Sequence, residues 1–189
     1  DLPQKDSQIK QTDMVLCTSG SLAMLYFVNI KQRLLLEEIK ELYPNLIEAL
    51  ICHPGIGFLG IDSYINGPVV INAEGIYYLN SKDFEGKNPL AIYEDTAAWQ
   101  LEKLFSYSNV GDIVIQSRYN PDTNQIPAFE NLLAHHGGIG GDQTLAFVMH
   151  PEKFHFDRPI NDSTQMHHQL QKWQNILFSS LFHQDLENK

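Results

Sequence analysis

After a polar lead-in, "DLPQKDSQIKQTD", the chain settles into apolar runs of two different periods. The stretch "MVLCTSGSLAMLYFVNI" is apolar on both sides of Ser19-Gly20 and predicts two short strands joined by a hairpin-like turn, the second over residues 22–28. In "LLLEEIKELYPNLIEALICHPG", Leu36, Ile39, Leu42, Leu46, Ala49 and Leu50 recur at helical spacing, which predicts helix over 36–51. Pro44 falls inside that pattern, so the helix is expected either to break there or to restart as a second helix at the proline. His53-Pro54-Gly55 ends it.

The period then changes to that of a sheet. "GIGFLGIDSY", "GPVVINA" and "GIYYLN" predict strands near 57–62, 69–72 and 76–79, with Asn66-Gly67 and Glu74-Gly75 as turns. Residues 81–94 read as a loop. "DTAAWQLEKLFSY" predicts a helix over 96–106, capped by Asp95, with Ala98, Leu101, Leu104 and Phe105 facing inward. A strand at 112–117 follows, then a Pro-Asp turn and a return segment, and "TLAFVMH" at 144–150 reads as one more strand. The last element is a helix over 164–178, with Met166, Leu170, Trp173 and Leu177 as its apolar stripe. The pattern implies an α/β class: a mixed sheet with antiparallel hairpins and flanking helices. Its segments are a lead-in at 1–13, a main body at 14–160, and a terminal helix and tail at 161–189.

Composition changes this picture mainly by exclusion. A chain of 189 residues, 43% hydrophobic and 19% charged, reads as an ordinary globular domain. A formal charge of −10 argues against binding a nucleic acid duplex, whose phosphates demand a basic face. No apolar run approaches the roughly 20 residues that span a bilayer, and no secretory signal opens the chain, so a cytoplasmic location is expected, with a membrane-tethered parent left open. The absence of an initiator methionine hints at a processed or truncated product. Cys17 and Cys52 form no CxxC and lie among apolar residues, which suggests two buried thiols or a disulfide between them.

Eight histidines are the main chemical resource, because imidazole ligates zinc-like ions and carries protons near neutral pH. His167, His168 and His183 lie on helix or tail surfaces, and His53 suits a helix terminus. His150 and His155 in "HPEKFHFD" stay ambiguous. His135 and His136 differ because "HHGGIGG" places glycines behind them. Glycine lets backbone N–H groups close on an anion, as in a phosphate-binding nest, and a ligand histidine beside such a loop would hold an oxyanion between cation and amides. The same residues also fit a bend with imidazoles near it. No GxxxxGK[ST], GxSxG, HExxH or paired CxxC occurs, and "GIGFLG" lies in the wrong context for a dinucleotide.

The order of features is similar to a known family. "TSGSLAMLYF", "LYPNLIEALICHPGIGFL", "GPVVINAEGIYYL" and "GDIVIQSRYNPDTNQIPAFENLLAHHGGIGG" together resemble the C-terminal part of bacterial type I phosphodiesterase/nucleotide pyrophosphatase-like proteins of the alkaline phosphatase superfamily. The resemblance covers roughly residues 14 to 151. It implies a partial alkaline-phosphatase-like fold and a two-metal hydrolase of phosphate esters, with zinc the expected metal. It further implies that His136, followed by Gly137, is a metal ligand, and that Gly137 and Gly138 contact the bound anion. The family's nucleophile motif and its Asp-His-Gly ligand motif do not occur here. The implied partner is therefore a missing N-terminal catalytic portion, and one histidine cannot hold zinc alone. The other class of reading is a non-catalytic α/β module that binds an anion or a protein.

Overall fold

The computed structural model describes residues 13–187, with side chains through residue 179. The lead-in expected at 1–13 therefore lies almost wholly outside the described residues, as does the His183 side chain. Internal contacts divide the chain into a unit ending at Ala146 and a unit beginning at Phe147.

The first unit is built on seven strands: β1 (Met14–Ser19), β2 (Leu22–Phe27), β3 (Ile56–Ser63), β4 (Gly67–Asn72), β5 (Gly75–Tyr78), β6 (Asp83–Gly86) and β7 (Ile113–Ser117). Their order across the sheet is β1-β2-β7-β3-β4-β5-β6. Every pairing is antiparallel, so among the described residues the sheet is not mixed as expected. The reason lies in the connections. Tight hairpins join β1 to β2 and β3 through β6, while long helix-bearing connections lead into β3 and into β7, which enters between β2 and β3.

Side-chain alternation sorts these strands onto two cores. Ala23, Leu25, Phe27, Leu59, Ile61, Ile113 and Ile115 face one side. There they meet α1 (Leu36–Leu42) and α2 (Leu46–Ile51), which supply Leu36, Ile39 and Ile47. Phe58, Val70 and Val114 face the other side and meet Ala97, Leu101 and Phe105 of α3 (Ala97–Phe105). Helices on both faces explain why all five residues of β7 are buried. Burying one Leu, Ile or Phe side chain contributes roughly 1.5–3 kcal/mol, so these two layers dominate stability.

The break at Pro44 is present, and it has a consequence the helical spacing did not show. Ala49 is exposed because the second helix starts in a new phase and turns Ile47 inward instead, and Leu42, the last residue of α1, is 54% exposed while Tyr43 after it packs on the core. α1 is fixed at its start by the Glu38 carboxylate, which accepts the Leu35 amide proton at 2.8 Å. α3 begins after Thr96 rather than Asp95, with no side-chain cap. Residues 83–86, read as loop, form β6, because β5 offers them an unpaired edge. The strand expected at 144–150 does not form. Gly141–Thr144 is a 3-10 turn, and the residues after it are irregular. The return segment reduces to one bridge between Asn120 and Gln125. Both cysteines are exposed and unpaired. Cys17 lies on the edge strand β1, and Cys52 follows α2 with its thiol donating to Glu48.

The second unit centres on α4 (Ser163–Glu187). Its buried stripe is Gln169 and Trp173, whereas Leu170 and Leu177 are exposed. A backbone carbonyl selects this face: His155 O accepts from both Gln169 Nε2 and Trp173 Nε1. Phe154, Phe156 and His150 pack their rings around Trp173 at 5.3, 4.9 and 5.1 Å.

Candidate functional site

The glycine cluster forms a strap, residues 135–141, laid across the ends of β2 and β7. Strand parity explains its seat. Gln116 lies two residues beyond Val114 on β7 and so faces the α3 side of the sheet, where Ile139 is buried. Its Oε1 accepts the Ile139 amide proton at 3.1 Å, and Gln116 itself is 1% exposed. Ser21, fully buried in the β1–β2 turn, accepts the Gly138 amide at 3.0 Å and donates to Gln143 Oε1 at 3.1 Å. Gln143 Nε2 returns to the Ile139 carbonyl at 3.3 Å. Polar groups of the strap are thus answered by side chains beneath it.

The turn and the strap also touch backbone to backbone. A methyl group on Gly20 would overlap the His136 carbonyl, and one on Gly137 would overlap the Ser19 carbonyl. Gly137 has φ +132°, which side-chain-bearing residues rarely adopt. On the other side of the same turn, Glu130 accepts the Gly20 amide at 2.9 Å, and the Gly20 carbonyl accepts the Phe129 amide at 2.8 Å. The turn is held from both sides, and the strap with it.

The two adjacent histidines take opposite roles on this strap. His135 is partly buried and donates Nε2–H to the Ile126 carbonyl at 2.9 Å, while its buried Nδ1 has no partner. His136 is exposed and makes no side-chain hydrogen bond among the described residues. Gly137 is exposed and Gly138 half-buried, but the Gly138 N–H points down to Ser21 rather than out. That amide is committed to the fold. Beside the strap lies a shallow cavity of about 740 Å³, lined by Pro54, Gly55, His135 and residues 124–127, whose polar walls include Arg118, Asn124 and Asp142.

The remaining histidines have other settings. His53 Nδ1 accepts the Gly55 amide at 3.1 Å, a helix-terminal role. His150 and His155 belong to the second unit, and His167 and His168 are exposed on α4. Among the described residues, no three His, Cys, Asp or Glu side chains stand together as metal ligands. The donors of the strap do not hold a zinc ion by themselves; the strap offers one exposed imidazole, His136. Comparison of the chain with protein-family models, with curated proteins and with solved structures gives no match.

Ser21, Gln116, Glu130 and Gln143 escaped the sequence reading. A signal existed for one of them. Gln116 interrupts the apolar run "IVIQS", and a glutamine in a fully buried strand needs a hydrogen-bond partner.

Proposed function

We propose that this chain is the C-terminal portion of a metal-dependent phosphodiesterase or phosphatase-like hydrolase of the alkaline phosphatase superfamily. In this reading His136 supplies one ligand to a divalent metal, zinc by the family resemblance, and the other ligands and the nucleophile come from a preceding N-terminal portion. The observation that carries it is an exposed, unpaired imidazole on a backbone locked by Ser21, Gln116 and the Gly20 turn. A ligand must be held rigidly and still face open space, and His136 combines the two. When bound, the metal would act on phosphate-ester oxygens as a Lewis acid. This chain's own part is to hold the imidazole, with Gly137 forming the close turn behind it. Gly138 serves the fold through Ser21, so an anion contact from this strap falls to Gly137.

The experiment is substitution in the full-length protein. His136→Ala is expected to lower both metal content and hydrolysis of bis(p-nitrophenyl) phosphate by at least about tenfold, as loss of a metal-site group does. If His135→Ala or His150→Ala abolishes both while His136→Ala changes neither, the assignment is wrong.

The second reading, a non-catalytic module that binds an anion or a protein, draws on a different observation. Leu132, Leu133 and Leu145 near the strap are 51%, 110% and 74% exposed, as in a surface built for contact. The reading frame upstream of Asp1 separates the two. An Asp-plus-Ser/Thr motif followed by Asp-His-Gly selects the hydrolase, and a start codon directly before Asp1 selects the module.

A further inference from the structure

A second cavity, of about 430 Å³, opens where β3 begins, between the β4–β5 turn, residues 89–93 and the end of β7. Its walls include Gly57, Asn72, Glu74, Tyr93, Arg118 and Tyr119. A register shift between Ile56 and Phe58 marks a bulge in β3, and bulges commonly re-aim groups beside binding sites. The bulged residue is Gly57, whose missing side chain leaves room for the Tyr93 hydroxyl; a methyl there would lie 2.9 Å from it.

The charges of this cavity are unequally spent. Glu74 is paired with Lys87 at 2.6 Å, and the Asn72 side-chain Oδ1 accepts from the Glu74 and Gly75 amides. The Arg118 side chain is exposed and makes no hydrogen bond or ion pair among the described residues; only its backbone amide is used, donating to Gly55 O. In a chain of net charge −10, an arginine left without a carboxylate is notable on electrostatic grounds alone. The Tyr93 hydroxyl is buried and has no acceptor among the described residues, and the neighbouring Tyr119 amide can only donate. Burial also pushes the Tyr93 phenol well above its ordinary value, so the hydroxyl keeps its proton. Arg118 and Tyr93 therefore share one cavity wall, each with a donor that has no acceptor: the guanidinium exposed, the hydroxyl covered beside Gly57.

We infer that this cavity binds a small oxyanion, a phosphate monoester or a carboxylate, through the Arg118 guanidinium with Tyr93 as the second donor. Arginine's planar fork suits either group by paired N–H···O bonds. The Tyr93 and Tyr119 rings, with centroids 5.8 Å apart and planes inclined at 39°, give the same cavity an aromatic side. The site needs no metal and does not rest on the hydrolase reading, since all its groups belong to this chain.

The test is a titration of the isotope-labelled 189-residue chain with inorganic phosphate and, separately, with benzoate at constant ionic strength, followed by amide and Arg118 Nε–H shifts. Saturable shifts at Gly57, Arg118 and Tyr119 are expected with at least one probe, and the stronger probe tells phosphate from carboxylate. Arg118→Gln should weaken binding more than about tenfold, and Tyr93→Phe severalfold, with the thermal midpoint of the Arg118 variant unchanged because its side chain is exposed. Shifts that fail to saturate with both probes, that scatter over the surface, or that survive Arg118→Gln overturn the proposal.

Discussion

Gln116 carries more of the local order than its single hydrogen bond to the strap suggests. It is the side chain that β7 places beneath the strap, and its Oε1 accepts the buried Ile139 amide. Gln116→Leu keeps the volume but leaves the buried Ile139 N–H unpaired, which costs about 1–3 kcal/mol. Urea unfolding of the chain should show that loss, and amide exchange should quicken at Gly138 and Ile139 before it does in β3. Gly137→Ala acts differently. It forces a side chain into the positive-φ region against the Ser19 carbonyl, and the expected loss is about 1–3 kcal/mol from backbone strain, more if the turn must move. Equal stability of Gly137→Ala and the parent would show that the strap is not clamped on the turn.

At the scale of elements, α1 is tied to the β3–β4 turn through one carboxylate. Glu37 accepts the Ser63 hydroxyl proton at 2.6 Å and the Tyr64 amide at 3.0 Å. Burial pushes its carboxyl up, but these hydrogen bonds and the nearby Lys40 outweigh that and hold it below its ordinary value of 4.5. The sign follows from linkage. A carboxyl whose folded pKa is depressed stabilises the fold at pH above 4.5, and that contribution fades as pH falls from there through the folded value. Glu37→Gln should therefore lower the urea midpoint at neutral pH and flatten its decline below pH 4.5. A variant curve parallel to the parent's through the acid range would remove Glu37 from this role. The same scale explains the phase of α2. Pro44 separates it from α1, so a stripe counted through the proline puts Ala49 inside where Ile47 is buried.

At the scale of the whole molecule, the hydrolase reading makes this chain dependent on what it lacks. On that reading the 189 residues alone are expected to show no substantial turnover of bis(p-nitrophenyl) phosphate with added zinc or manganese, since the resembled family's nucleophile and Asp-His-Gly motifs do not occur in this sequence. Turnover that is lost on chelation and retained after rigorous repurification would refute this. Metal removal should leave stability untouched: the two cores are apolar, the strap is anchored by Ser21 and Gln116, and no described cluster of three ligands couples metal to folding. A chelator that shifts the thermal midpoint of the chain would mean that a metal is structural here.

Much of the architecture was legible along the chain, because hydrophobic period and turn residues are local properties. The β1–β2 hairpin at Ser19-Gly20, strands β3, β4, β5 and β7, the helix break at Pro44 and helix α3 all follow from neighbours within a few residues. What depends on distant partners was not legible. β6 exists because β5 has a free edge, "TLAFVMH" is no strand because none of the described strands pairs with it, and the α4 stripe is chosen by the His155 carbonyl. The candidate site divides the same way. Glycines marked a special backbone at 137–141, but alternation and spacing treat His135 and His136 alike. Only the folded chain distinguishes them, by turning one ring onto the Ile126 carbonyl and leaving the other exposed, because a hydrogen bond across nine residues is a fact of tertiary structure.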